Sequence, residues 1–116
     1  MLKEADHTSA IRAVWHTDHS YDLAPTICSI LHAIDVPPYG GDTCFTSMYA
    51  AYSGLSAPIK TSINGLSAEY PSRHVFGKAK ACYVVHPMVI KHPLSGRLAP
   101  YVNPQFTTKI LGLSEI

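Results

Sequence analysis

Charge of one sign is what this 116-residue chain lacks first: nine Lys and Arg face eight Asp and Glu, leaving a formal +1. No electrostatic footprint for nucleic acid or an anionic membrane follows from that balance. Long apolar runs are missing too, since every hydrophobic stretch is interrupted well short of the ~20 residues a membrane span needs. Met1-Leu2-Lys3-Glu4-Ala5-Asp6-His7 has neither the basic start nor the apolar core of a secretory leader. Cysteine is sparse: Cys28, Cys44 and Cys82 are an odd number, widely spaced, with no C-x-x-C. Neither a disulfide framework nor a zinc knuckle fits, and a reducing cytoplasm is the expected location. Internal repeats, low-complexity segments and interdomain linkers are also wanting. The 47% hydrophobic content is that of a globular chain and too high for disorder.

The pattern reads as mainly β with a helical insert, an α+β chain. Ile11, Ala13 and Trp15 alternate with Arg12 and Val14, which predicts a strand over 10–15. Thr26 to Ile34 is almost continuously apolar and predicts a strand buried on both faces, although a short buried helix has the same pattern. Pro37-Pro38-Tyr39-Gly40-Gly41-Asp42 is a loop. Met48, Ala51, Tyr52 and Leu55 then fall at i, i+3, i+4 and i+7, the stripe of an amphipathic helix packed on a core, with Thr46 or Ser47 as N-cap. A second helix is expected from Ser56 to Asn64, with Pro58 in its first turn and Asn64-Gly65 at its end. Tyr83 to Lys91 predicts a strand, His92 to Gly96 a turn, and Leu98 to Val102 a returning strand. The three cysteines are expected to be small buried hydrophobes. His19 reads as a surface or hydrogen-bonded side chain, and His32 as partly buried. At the far end Ser114 resembles a helix N-cap, so the chain is expected to stop where another helix begins.

His16-Thr17-Asp18 carries the chemistry. At a strand end, side chains at i and i+2 share a face, so an imidazole and a carboxylate can grip one metal ion together. Two histidines and one carboxylate around an open metal face mark non-haem Fe(II) oxygenases. His16 and Asp18 would be two of those three ligands.

Further blocks follow in order: Gly40-Gly41-Asp42-Thr43, Ala50-Ala51-Tyr52 with Leu55-Ser56, and Gly65-Leu66 with Ala68-Glu69. His86-Pro87, His92-Pro93, Ser95-Gly96, Tyr101-Val102-Asn103 and Phe106-Thr107-Thr108 complete them. With Trp15-His16-Thr17-Asp18 at their head, they resemble the taurine dioxygenase (TauD/TfdA) family of Fe(II)- and 2-oxoglutarate-dependent dioxygenases across nearly all of residues 15 to 110. The resemblance implies a partial double-stranded β-helix, the clavaminate synthase-like jelly roll. It implies His16 and Asp18 as iron ligands and Thr43 as a hydrogen-bonding partner of the 2-oxoglutarate carboxylate. Phe76 and Phe106 match aromatic positions that line the substrate pocket.

The implied activity is oxidative decarboxylation of 2-oxoglutarate, with Fe(II) and O2, coupled to hydroxylation of a small, anionic organic substrate such as a sulfonate. The family's second iron-binding histidine, and the arginine that meets the cosubstrate, would lie beyond Ile116. Residues 1–116 are thus expected to be a single partial catalytic domain, without the family's N-terminal part. The stretch from Phe76 to His86 is also shorter than the lid-like segment of taurine-specific members.

Two other readings stand beside this one. A catalytically incomplete remnant, or an interaction module, would expose strand edges and apolar faces and self-associate into a homo-oligomer. Ranked below it is a metal-dependent hydrolase using His16, Asp18 and a histidine such as His86.

Overall fold

The computed structural model describes residues 14–71 and 83–113. Seven short elements occupy them: helices α1 (Met48–Gly54) and α2 (Ala57–Ile63), then strands β1 (Ser67–Pro71), β2 (Tyr83–Pro87), β3 (Val89–Lys91), β4 (Leu98–Pro100) and β5 (Lys109–Leu111). All strand pairing is antiparallel, in a three-stranded sheet of order β2-β1-β5 and a two-stranded sheet β3-β4.

Local signals fix the two helices. The Ser47 hydroxyl accepts from the Ala50 amide at 3.3 Å and caps α1, satisfying an amide that has no partner inside the helix. Pro58 occupies the first turn of α2, where its missing N–H costs nothing, and Asn64 closes that helix. Met48, Tyr52 and Leu55 are half-buried and Ala51 is exposed, so only part of the expected stripe meets protein. The neighbour of α1 is β4.

β1 alternates strictly, with Ala68 and Tyr70 buried between the half-buried Ser67, Glu69 and Pro71. Its register sets Ala68 opposite His86 and Ile110, and Tyr70 opposite Val84. Side chains facing each other across a ladder share one face of the sheet, so these five form its inner face. Tyr21, Tyr101, Val102 and Phe106 pack on it and complete the core. That core is small.

The strand expected over 83–91 is broken at Met88, and the break is where the chain passes between sheets. The Met88 amide donates to the Leu66 carbonyl at 2.8 Å, while its own carbonyl accepts from the Tyr101 amide at 2.8 Å. The β3–β4 turn is closed by Gly96 at φ +69°, with the Gly96 amide donating to the His92 carbonyl at 2.9 Å.

One strand expectation is corrected, and most of a second lies outside the described residues. Residues 26–34 form no strand and are exposed, with Ile27, Ile30, Leu31 and Ile34 all at 90% or more. An apolar run becomes a buried strand only when layers pack on both its faces, and the described residues provide no such layers. Of the strand expected over 10–15, residues 10–13 lie outside the described set, and Val14 and Trp15 adopt no regular structure. Cys28, Cys44 and His32 are likewise exposed rather than buried. Cys82 and Ser114 lie outside the described residues. Among those residues no helix is long and apolar enough to cross a membrane.

Candidate metal centre

His16 sits on irregular chain and Asp18 opens the turn that follows, neither on a strand end, yet their side chains converge. His16 Nε2 lies 3.3 Å from Asp18 Oδ1, and both side chains are open to solvent. His16 Nδ1 lies 2.8 Å from the Val14 carbonyl oxygen. A carbonyl can only accept, so Nδ1 carries the hydrogen and Nε2 of the neutral ring presents a lone pair. In the neutral ring a lone pair and a carboxylate oxygen face each other across 3.3 Å, and a cation can bridge them; with a hydrogen on Nε2 the same contact is an ion pair.

The spacing suits a metal ion. Two neighbouring ligand atoms, each about 2.1 Å from one metal, stand about 3 Å apart at a right angle. The backbone carbonyl on the far nitrogen is the usual partner that orients a ligating imidazole. Neutral imidazole and carboxylate are also the donor types that suit Fe(II). Among the described residues no group of three or more His, Cys, Asp or Glu side chains is placed to hold a metal.

The turn that follows is anchored firmly. His19 takes φ +60°, rare for a residue with a side chain, and its Nδ1 pairs with Asp22 Oδ2 at 2.7 Å. The Asp22 amide donates to the His19 carbonyl at 3.0 Å, closing the turn. Ser20 and Tyr21 are buried beneath it. His86 Nε2 meets the Asp22 carbonyl oxygen at 2.9 Å, and Asn103 Nδ2 donates to Ser20 Oγ at 3.2 Å.

Phe106 joins this cluster. Its ring stands edge-to-face with the His16 imidazole at 5.8 Å and with Tyr21 at 4.9 Å. Thr43 lies in the exposed, irregular segment ahead of α1, and no hydrogen bond among the described residues ties it to His16 or Asp18. Phe76 lies outside the described residues. His86, the histidine considered for a hydrolase site, is occupied elsewhere, with its Nε2 on Asp22 and its ring against Tyr70 and Tyr101.

The order of motifs along the chain agrees with this geometry. The sequence profile described as "Taurine catabolism dioxygenase TauD, TfdA family" matches residues 2–116. The chain belongs to the TauD/TfdA family. It is 33% identical over 108 residues to the alpha-ketoglutarate-dependent sulfonate dioxygenase of Saccharomyces cerevisiae, covering 85% of this chain and 26% of that protein. Over 61 residues it is 43% identical to the alpha-ketoglutarate-dependent 2,4-dichlorophenoxyacetate dioxygenase of a Burkholderia strain, covering 53% of this chain and 20% of that one. The crystal structure of a taurine dioxygenase from Burkholderia xenovorans superposes with a TM-score of 0.78 at 34% identity, over 94% of this chain and 39% of that one. The chain thus spans well under half the length of the TauD/TfdA relatives it matches.

Sequence reasoning singled out His16 and Asp18, whose side chains the structure brings within 3.3 Å of each other, and did not reach the contacts that hold them there. Val14, Ser20, His86 and Asn103 hold the donor segment through a backbone oxygen or a long-range contact. Spacing announces neither. The available signals were the His86-Pro87 and Tyr101-Val102-Asn103 blocks, which single out two of these residues without giving their contacts.

Proposed function

We propose that this chain carries part of the active site of an Fe(II)- and 2-oxoglutarate-dependent dioxygenase, with His16 and Asp18 as two of the iron ligands. The observation that carries the reading is the opposition of His16 Nε2 and Asp18 Oδ1, with Nδ1 engaged by Val14. Iron bound there with 2-oxoglutarate and O2 supplies oxidative decarboxylation to succinate and CO2, coupled to hydroxylation of a C–H bond. The chain's own part is to hold the donors and to place the substrate.

Val14 fixes the imidazole tautomer, so Nε2 needs no rearrangement to bind metal. Phe106 offers an apolar wall beside His16, suited to the hydrocarbon part of a substrate. Phe76 is assigned the same task from the family pattern, and Thr43 the hydrogen bond to the 2-oxoglutarate carboxylate. The substrate we assign is a small organic anion such as a sulfonate, the class in the name of the yeast relative. A third ligand and a cosubstrate-binding arginine are expected from outside residues 1–116. Antiparallel pairing in both sheets and the likeness to a taurine dioxygenase structure support a partial jelly roll.

Anaerobic titration of the full chain with Fe(II) and 2-oxoglutarate tests the reading. The expected result is the weak visible charge-transfer band of the chelate, abolished by His16→Ala. A band that His16→Ala leaves unchanged overturns the assignment of His16, and folded protein without the band makes residues 1–116 a catalytically incomplete chain. A second reading, a catalytically incomplete chain that self-associates, is favoured by the exposed residues of 26–34. Decarboxylation of 2-oxoglutarate separates the two.

A further inference from the structure

We infer that Asn103 is a positioning residue for the His16–Asp18 pair, acting through Ser20 on one side and Phe106 on the other. Its Nδ2 donates to Ser20 Oγ at 3.2 Å, and its Oδ1 accepts from the Phe106 amide at 2.9 Å. The backbone is held as well, with the Asn103 amide donating to Thr107 Oγ1 at 2.9 Å and the Thr107 amide donating to the Asn103 carbonyl at 3.0 Å. Asn103 is 8% exposed and Ser20 is fully buried, so water does not compete for these bonds.

Both ends of that amide lead to the metal donors. Ser20 lies two residues after Asp18, within the turn that His19 and Asp22 close. Phe106 meets the His16 ring edge-on. A single side chain therefore sets the distance between the donor-bearing turn and the ring that flanks the imidazole, across 83 residues of sequence. The chemistry explains the residue type. One end must accept from an amide while the other donates, and among side chains of this length only Asn does both without a charge. Its orientation is fixed because the Phe106 N–H can face only the oxygen.

What the pair binds rests on the reading above; how the pair is held does not, and the test separates them. In the metal-free full chain, NMR should show a cross-peak between the His16 and Phe106 rings and the Nδ1–H tautomer of His16. Ser20→Ala removes one oxygen from the contact. It should reduce that cross-peak by more than half while cross-peaks between Tyr70 and Val84 persist, and Asn103→Ala should do the same. Asn103→Asp should restore the cross-peak, because its carboxylate still accepts from Phe106 and the Ser20 hydroxyl can turn to donate. Fe(II) affinity should fall about tenfold in Ser20→Ala, the usual scale for losing an outer-shell contact. A wild-type chain without the ring cross-peak, or an unchanged cross-peak in Ser20→Ala, overturns the inference. Wild-type protein that shows the cross-peak and its loss in Ser20→Ala, yet binds no Fe(II), upholds the positioning and overturns the metal reading alone.

Discussion

His86 on β2 donates from Nε2 to the Asp22 carbonyl oxygen at 2.9 Å, joining residues 64 apart. Because a carbonyl only accepts, His86 carries its hydrogen on Nε2, whereas His16 carries its own on Nδ1. Two histidines of one cluster thus donate from opposite ring nitrogens: His16 uses Nδ1 within its own segment, and His86 uses Nε2 to tie the turn to the sheet.

That bond is worth measuring by itself. His86→Phe keeps an aromatic ring against Tyr70 and Tyr101 and removes the donor. Leaving a half-buried carbonyl without its partner should cost about 1–2 kcal/mol, read from the denaturant midpoint at constant slope. Metal affinity should change far less than in His16→Ala. A third-ligand role for His86, as a hydrolase site requires, predicts instead that His86→Phe abolishes metal binding.

Tyr70 and Tyr101 predict an alkaline limit to stability. Burial pushes both phenols above the ordinary value of 10.0; the Thr107 hydroxyl works weakly against this at Tyr70, and the nearby charges of Tyr70 and Asp22 add to it at Tyr101. A raised pKa in the fold means that folding favours the neutral phenol. Its contribution is complete below pH 10 and is lost as pH rises through the folded-state pKa. Melting temperature should hold up to about pH 10 and fall beyond it. Tyr70→Phe should flatten that fall, at the cost of the Tyr70 hydroxyl's 3.1 Å bond to the Tyr101 carbonyl. Losing that bond should cost about 1 kcal/mol at neutral pH.

How much of this was legible depends on how local the cause is. Ser47, Pro58 and Asn64 act within one helical turn, so the ends of α1 and α2 could be placed from the sequence. The closeness of His16 and Asp18 was legible because side chains at i and i+2 converge here as they would on a strand. The burial of residues 26–34 was not, because it depends on what packs against them and not on their own apolarity. The break at Met88 and the Ser20–Asn103 bond were also hidden. Each is decided by a partner distant in sequence, Leu66 and Tyr101 in one case and a residue 83 positions away in the other.

Exposed apolar side chains between Leu23 and Phe45 predict self-association of the chain. Ile27, Ile30, Leu31 and Ile34 stand at 90% exposure or more within eight residues, a density seldom left open on a monomer. Light scattering should show species larger than a monomer, increasing with protein concentration. Ile30→Lys combined with Ile34→Lys should shift the distribution toward monomer, because two charges cannot be buried cheaply in a dry contact. Both side chains are exposed, so the substitutions leave the sheet core untouched. A monomeric wild type at the highest concentrations would remove self-association as a property of this segment.

Thr43 offers the sharpest separation between cosubstrate and metal. Its assigned task needs a hydroxyl aimed at the 2-oxoglutarate carboxylate, and a hydrogen bond to a charged group contributes about 1.5–3 kcal/mol. Thr43→Val keeps the shape and deletes the donor, so the dissociation constant for 2-oxoglutarate should rise roughly 10- to 100-fold. Fe(II) affinity measured without cosubstrate should stay at the wild-type value, since Thr43 lies on a different segment from both donors. Thr43→Ser should recover most of the loss, because it restores the hydroxyl and omits only a methyl group. If Thr43→Val weakens Fe(II) and 2-oxoglutarate equally, residues 40–43 shape the whole site and the hydroxyl is not what the cosubstrate meets. If neither changes, the cosubstrate carboxylate is held elsewhere, and the Gly40-Gly41-Asp42-Thr43 block is only the turn that leads into α1.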